Sequence, residues 1–172
     1  QARMINFSTT LIHAVIICIP FSIFAVGSFV WRPRLWLHSL PPDIIKMAGP
    51  KTENEKRITR YLLLPAILII LPGLSIVSVL YIGASSSINL SFAGILIHIY
   101  VMWVIVHLWD FLIIDCGAIL MISPRNPPIP GTEDARGWKD YGFHFRSFLK
   151  ATVMTALFAL PSAGILTLIL ND

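Results

Sequence analysis

Residues 92–122 read FAGILIHIYVMWVIVHLWDFLIIDCGAILMI, a run whose only charged side chains are Asp110 and Asp115. A helix needs ~20 predominantly apolar residues to cross a hydrocarbon core about 30 Å thick, so this stretch can span with length to spare, by tilting or by projecting beyond the membrane. Three further runs, at about 8–30, 61–82 and 148–170, have the same character. The expected fold is all-α: a polytopic transmembrane four-helix bundle, with residues 1–172 forming a single transmembrane domain.

Composition agrees. Of 172 residues, 56% are hydrophobic and 13% charged, against ~25% charged in soluble domains. The mean hydropathy is +0.76. The net charge of +4 would suggest nucleic acid in a soluble protein. Here the basic residues flank apolar spans and act as topology determinants, so nucleic acid is excluded as a partner. Cys18 and Cys116 both fall within apolar runs and read as small packing residues, not as a disulfide framework or a CxxC motif. The first run is followed by Trp31, Arg32, Pro33 and Arg34, not by a small-residue cleavage site, and is expected to be retained.

Charge also gives an orientation. Arg32, Arg34, Lys46, Lys51, Lys56, Arg57 and Arg60 lie between spans one and two, and Arg125, Arg136, Lys139, Arg146 and Lys150 lie around the third connection. Only Arg3 lies on the other side. By the positive-inside rule both long loops are cytoplasmic and both termini external, with Lys51 and Lys139 inside and Ser86 and Asp172 outside. The expected location is the cytoplasmic membrane of a bacterium or archaeon. Trp31, Trp36, Trp138 and Tyr141 flank the spans on the loop side, where amphipathic rings favour the headgroup level.

Thr52-Glu53-Asn54-Glu55 reads as a capping box, so the second span begins as a helix before the membrane. Pro124, Pro127, Pro128, Pro130 and Gly131 make the start of the second loop extended or turning. Pro20, Pro65, Pro72 and Pro161 interrupt spans one, two and four; packing explains such prolines more often than a hinge does.

The candidate chemistry sits mostly in span three. At 100° per residue, His107, Asp110 and Asp115 share one face with Trp103, and a charge at that depth costs roughly 2.5–3.5 kcal/mol on the lenient insertion scale. Two readings stay open: a buried polar site in which an aspartate orients His107, or interhelical hydrogen bonding. A His107–Asp110 pair would make Asp110 structural and leave Asp115, nearer water, to receive a ligand. His13 and His98 lie at similar depth on spans one and three and are candidate axial ligands of a haem, although lone histidines there are more often ordinary hydrogen-bonding groups. No cofactor is specified by any motif.

The loops carry Pro33-Arg34-Leu35-Trp36-Leu37, Lys51-Thr52-Glu53-Asn54-Glu55-Lys56-Arg57, Pro130-Gly131-Thr132-Glu133 and Lys139-Asp140-Tyr141-Gly142-Phe143-His144-Phe145. In these stretches, PRLWL, KTxxEKR and PGTE…KDYxFHF, the chain resembles a family of small uncharacterised four-span integral membrane proteins. The resemblance implies a four-span fold and brings no activity with it. This chain has Trp31-Arg32 where the family has Asn before the proline, and Cys116 where it has Trp after Asp115. Read physically, Arg34, His38, Asp140, Tyr141 and His144 gather at one membrane surface over the Asp115 end of span three, with His144 and Asp140 as the favoured pair. The basic residues alone read as contacts to anionic headgroups.

No GxSxG, HExxH, P-loop, Rossmann or multi-histidine signature is present. The leading expectation is binding of a lipophilic ligand or a partner membrane subunit at a polar site near the inner leaflet. Membrane lipids are the expected partners, with a homo-oligomer as a further possibility. The alternatives are a membrane-embedded enzyme or redox protein using His107, Asp110 and Asp115 around a metal, haem or quinone, and a proton-coupled transporter.

Overall fold

The structure, a computed structural model, describes residues 4–85 and 90–171; Arg3, Ser86 and Asp172, used above for orientation, lie outside them. The described residues are mostly helical and contain no strand. Among them, four helices are long and apolar enough to cross a membrane.

Helix α1, Phe7–Trp31, starts where Asn6 Oδ1 accepts from the Ser8 N–H at 2.9 Å. A 3-10 segment, Pro33–Ser39, and the short α2, Pro42–Ala48, follow, and Gly49 ends α2 with φ +71°, a conformation that favours glycine. Helix α3, Glu53–Ser85, opens with both halves of the capping box in place: the Glu55 N–H donates to Thr52 Oγ1 and the Thr52 N–H to Glu55 Oε2. It widens to π-helical turns over Thr59–Leu63 and Ala66–Ile70, on either side of Pro65 and just before Pro72. A proline withholds one N–H and crowds the preceding turn, and a wider turn relieves both. Ser91 caps α4, Phe92–Ile122, by accepting from the Gly94 N–H. Helix α5, Tyr141–Asn171, begins seven residues before the expected span because Asp140 Oδ1 accepts from the Phe143 N–H at 2.8 Å and caps it.

Helix α4 is the centre of the bundle. Its Ile95, Ile99, Met102 and Val106 pack against Ala14, Ile17 and Cys18 of α1, Val79 of α3 and Ala159 and Ala163 of α5. Small residues at α1 and α5 let the backbones approach, and dispersion replaces the hydrophobic effect as the binding force in lipid. Polar ties cross the same interfaces: Trp103 Nε1 donates to Ser75 Oγ at 2.6 Å, and Trp109 Nε1 to Ser22 Oγ at 2.9 Å. The opposite faces, including Ile12, Ile16, Ile19 and Ile23 on α1 and Val153, Leu157 and Leu168 on α5, are exposed. Apolar stripes of that extent are compatible with a hydrocarbon surround.

The two long loops build a second core at one end of the bundle, in which Leu37, Leu40, Ile44, Ile129, Ala135 and Trp138 close over Ile119 of α4. Asp43 Oδ2 accepts from the Gly137 N–H at 2.8 Å, joining loop to loop. A Cβ at residue 137 would overlap Asp43 Oδ1 and lie 2.6 Å from Pro41 Cβ, so this approach requires glycine. Trp138 departs from the headgroup role expected of it: it is buried in this core, with Nε1 donating to the Thr132 carbonyl at 3.0 Å. Trp31 and Tyr141 are exposed, and Arg32 lies over the Trp31 ring at 4.9 Å.

Candidate functional site

A cavity of about 730 Å³ lies between α1, α4 and α5, under the loop core. Helix α4 packs against both α1 and α5, which make no comparable contact with each other, so α4 forms the floor and the other two the walls. Phe21, Val26 and Phe29 of α1 line one wall and Phe148 and Ala151 of α5 the other, while Pro33, Trp36, Leu40 and Pro128 border the loop end. His107, Asp110, Asp115, His144, Ser147 and Lys150 on the helices, with His38, Ser39, Ser123 and Asn126 toward the loops, put polar atoms on this surface.

The backbone of α4 brings both aspartates there. In a regular α-helix residues five apart differ by ~140° around the axis, which would set Asp110 and Asp115 at the two edges of the face they share with His107. From Asp110 to Ile119 the helix is π-helical, with bonds spanning five residues, so side chains five apart come nearer to one line. Sequence alone gives no proline or glycine before Asp110 to announce this change of winding.

The partners differ from those expected. His107 Nε2 bonds to Thr155 Oγ1 of α5 at 2.9 Å, and Thr155 donates onward to the Ala151 carbonyl. The Asp110 carboxylate has no hydrogen bond or ion pair among the described residues, so the expected His107–Asp110 pair is not formed. Asp115 Oδ2 instead lies 3.0 Å from Nδ1 of His144, an imidazole only 2% exposed. His144 Nε2 is buried without a hydrogen-bond partner among the described residues. The expected His144–Asp140 pair is absent because Asp140 is occupied as the α5 cap, with Arg146 4.0 Å away on its other oxygen.

Of the remaining candidates, Arg34 is a loop staple. Its Nε meets Glu55 Oε1 at 2.8 Å, and its two terminal nitrogens donate to the Ala48 and Pro50 carbonyls at 2.6 and 2.7 Å, which leaves little for a ligand. Tyr141 is exposed on the first turn of α5 and does not line the cavity. His38 does, stacked on Trp36 with ring centroids 6.2 Å apart. Desolvation there, and next the Lys51 ammonium, hold its pKa below the usual imidazole range. Thr155, Ser147 and Lys150 join the site without any motif to mark them in the sequence.

His13 and His98 form a separate cluster at the opposite end. Thr10 Oγ1 bonds to His98 Nδ1 at 2.8 Å, His98 Nε2 to Ser78 Oγ at 2.8 Å, and the same hydroxyl to His13 Nδ1 at 2.6 Å. The two rings meet edge to face with centroids 5.9 Å apart. Axial ligation of one haem needs a macrocycle between the rings and a free nitrogen on each; here the rings touch and both His98 nitrogens are taken. The cluster ties α1, α3 and α4 together. His98→Leu should take one hydrogen bond from each of the Thr10 and Ser78 hydroxyls, which keep the Asn6 carbonyl and His13, and lower stability by about 1–3 kcal/mol, while leaving occupancy of the cavity unchanged. Melting in detergent and the mass of any bound molecule measure the two effects separately.

Compared with known proteins, the chain matches no family model, no curated protein and no solved structure.

Proposed function

We propose that the protein binds an amphipathic, lipid-like molecule whose tail enters the cleft between α1 and α5 and whose polar end rests on α4. The cavity carries this reading: its size lies within the ~300–1,000 Å³ of small-molecule sites, and its walls are apolar with few polar groups set together. Counting 1.5 Å per residue from Phe92, α4 has crossed ~30 Å by about residue 112. Asp110 therefore stands at the edge of the hydrocarbon and Asp115 and His144 in the headgroup zone. The charge asymmetry of the loops makes that edge the cytoplasmic one, with Lys51 and Lys139 inside.

A second reading draws on the Asp115–His144 pair. A carboxylate on Nδ1 orients an imidazole as general bases are oriented, and His144 Nε2 has no partner among the described residues, so turnover of the bound molecule is the enzymatic alternative.

Native mass spectrometry of the detergent-solubilised protein tests both. Wild-type protein should carry adducts of lipid mass, and Ala118→Trp, which fills the cavity from its floor, should remove most of them. Adducts unaffected by Ala118→Trp would place the lipid elsewhere and end the proposal. No adduct, with a stable oligomer instead, would favour a partner subunit. Conversion of added lipid to a new mass, lost in His144→Ala, would favour the enzyme.

A further inference from the structure

We infer that the polar end of the bound amphiphile is a primary ammonium joined to a phosphate, as in an aminophospholipid of the phosphatidylethanolamine type. This rests on the cavity being the lipid site proposed above, and goes beyond it by naming the head.

Three features converge. Asp110 and Asp115 line the same cavity, and among the described residues the only protein donor either carboxylate receives is His144, on one oxygen of Asp115. Two carboxylates beside an apolar wall repel each other and keep acceptor capacity that a donor-rich cation would satisfy. Lys150 is the one lysine or arginine among the residues lining the cavity, and it has no ion pair among the described residues. Its ammonium, on α5 near the membrane edge, suits a phosphate. Trp36, its ring stacked on His38, borders the same space and adds aromatic wall at the loop end where the head would sit.

These features discriminate among heads. An anionic glycerol head would bring a phosphate and no cation to a surface holding two carboxylates and one ammonium. A trimethylammonium head supplies the cation and the phosphate but has no N–H to donate, so neither aspartate would gain a hydrogen bond from it. Only a protonated amine gives both the charge and the donors, and charge-assisted bonds are the stronger kind.

The test is a competition. Purified wild-type protein is incubated with equimolar dioleoyl phosphatidylethanolamine, phosphatidylcholine and phosphatidylglycerol, and the adducts are read by native mass spectrometry. The expected preference for the ethanolamine lipid is about tenfold over each competitor, the ratio one charge-assisted hydrogen bond supplies. Successive N-methylation of the ethanolamine should lower occupancy stepwise. Asp110→Asn should bring the ethanolamine and glycerol lipids to near equality while total lipid adduct persists. Equal adducts of all three lipids with the wild-type protein, or a preference for phosphatidylglycerol or phosphatidylcholine, would overturn the head assignment and leave the lipid site standing. Absence of every adduct would remove the lipid site and this inference with it. The wild-type comparison needs no variant to fold.

Discussion

Trp138→Ala should destabilise the detergent-solubilised protein by about 3–5 kcal/mol, the range for emptying a large aromatic from a packed core. Trp138 is 2% exposed at the centre of the loop core, against Leu37, Leu40, Ile44, Ile129 and the Ile119 end of α4. Its indole N–H also donates to the Thr132 carbonyl, which the same change leaves without that donor. Trp138→Phe keeps most of the volume and loses only the hydrogen bond, so it should cost about 1–2 kcal/mol. A lipid-facing change such as Ile16→Ala should cost less than either in detergent, where that face meets only apolar chains. Because the loop core borders the cavity, Trp138→Ala should also speed release of bound lipid. Melting curves of the three variants, with lipid retention after washing, check this. Equal melting of Trp138→Ala and wild type would mean that the loop core does not hold the bundle end together.

The four spans were legible because bilayer length and apolar composition are properties of single segments, and no tertiary partner has to be known to see them. The α3 start was legible for a related reason: a capping box is written within four residues, Thr52 to Glu55. Asp140 was not read as a cap, since its role depends on α5 beginning in a stretch with aromatic and charged residues mixed, and it was matched to His144 instead. The site was legible by residue type only. His107, Asp110, Asp115 and His144 were named, but the pairing was not, because Asp115 meets His144 across 29 residues of loop and helix, and the π-helical winding after Asp110 has no sequence mark. Trp138 shows the same limit: an aromatic beside a span reads as a headgroup anchor unless one knows that two loops fold over it.

That pairing reverses the roles expected of the two aspartates, and the reversal has a large measurable consequence. Asp115→Leu strands His144, whose Nδ1 loses its partner while Nε2 already has none among the described residues. Breaking a buried pair on one side costs about 3–5 kcal/mol; since Asp115 keeps 18% exposure, the lower end, about 3 kcal/mol, is expected. Asp110→Leu removes a carboxylate that has no protein partner among the described residues, and should raise stability by about 1–2 kcal/mol by relieving desolvation. Its cost should fall on head selectivity, with the preference for the ethanolamine lipid largely lost. A double-mutant cycle separates the pair from the cavity. Asp115→Leu combined with His144→Phe removes both polar partners and leaves an apolar contact of similar size, so the double variant should melt above Asp115→Leu alone. If the two changes are simply additive, Asp115 and His144 do not act as a pair. If Asp110→Leu melts far below wild type while Asp115→Leu does not, the carboxylate that the bundle depends on is Asp110, and the lipid head belongs nearer the loops than the cavity floor at Asp110.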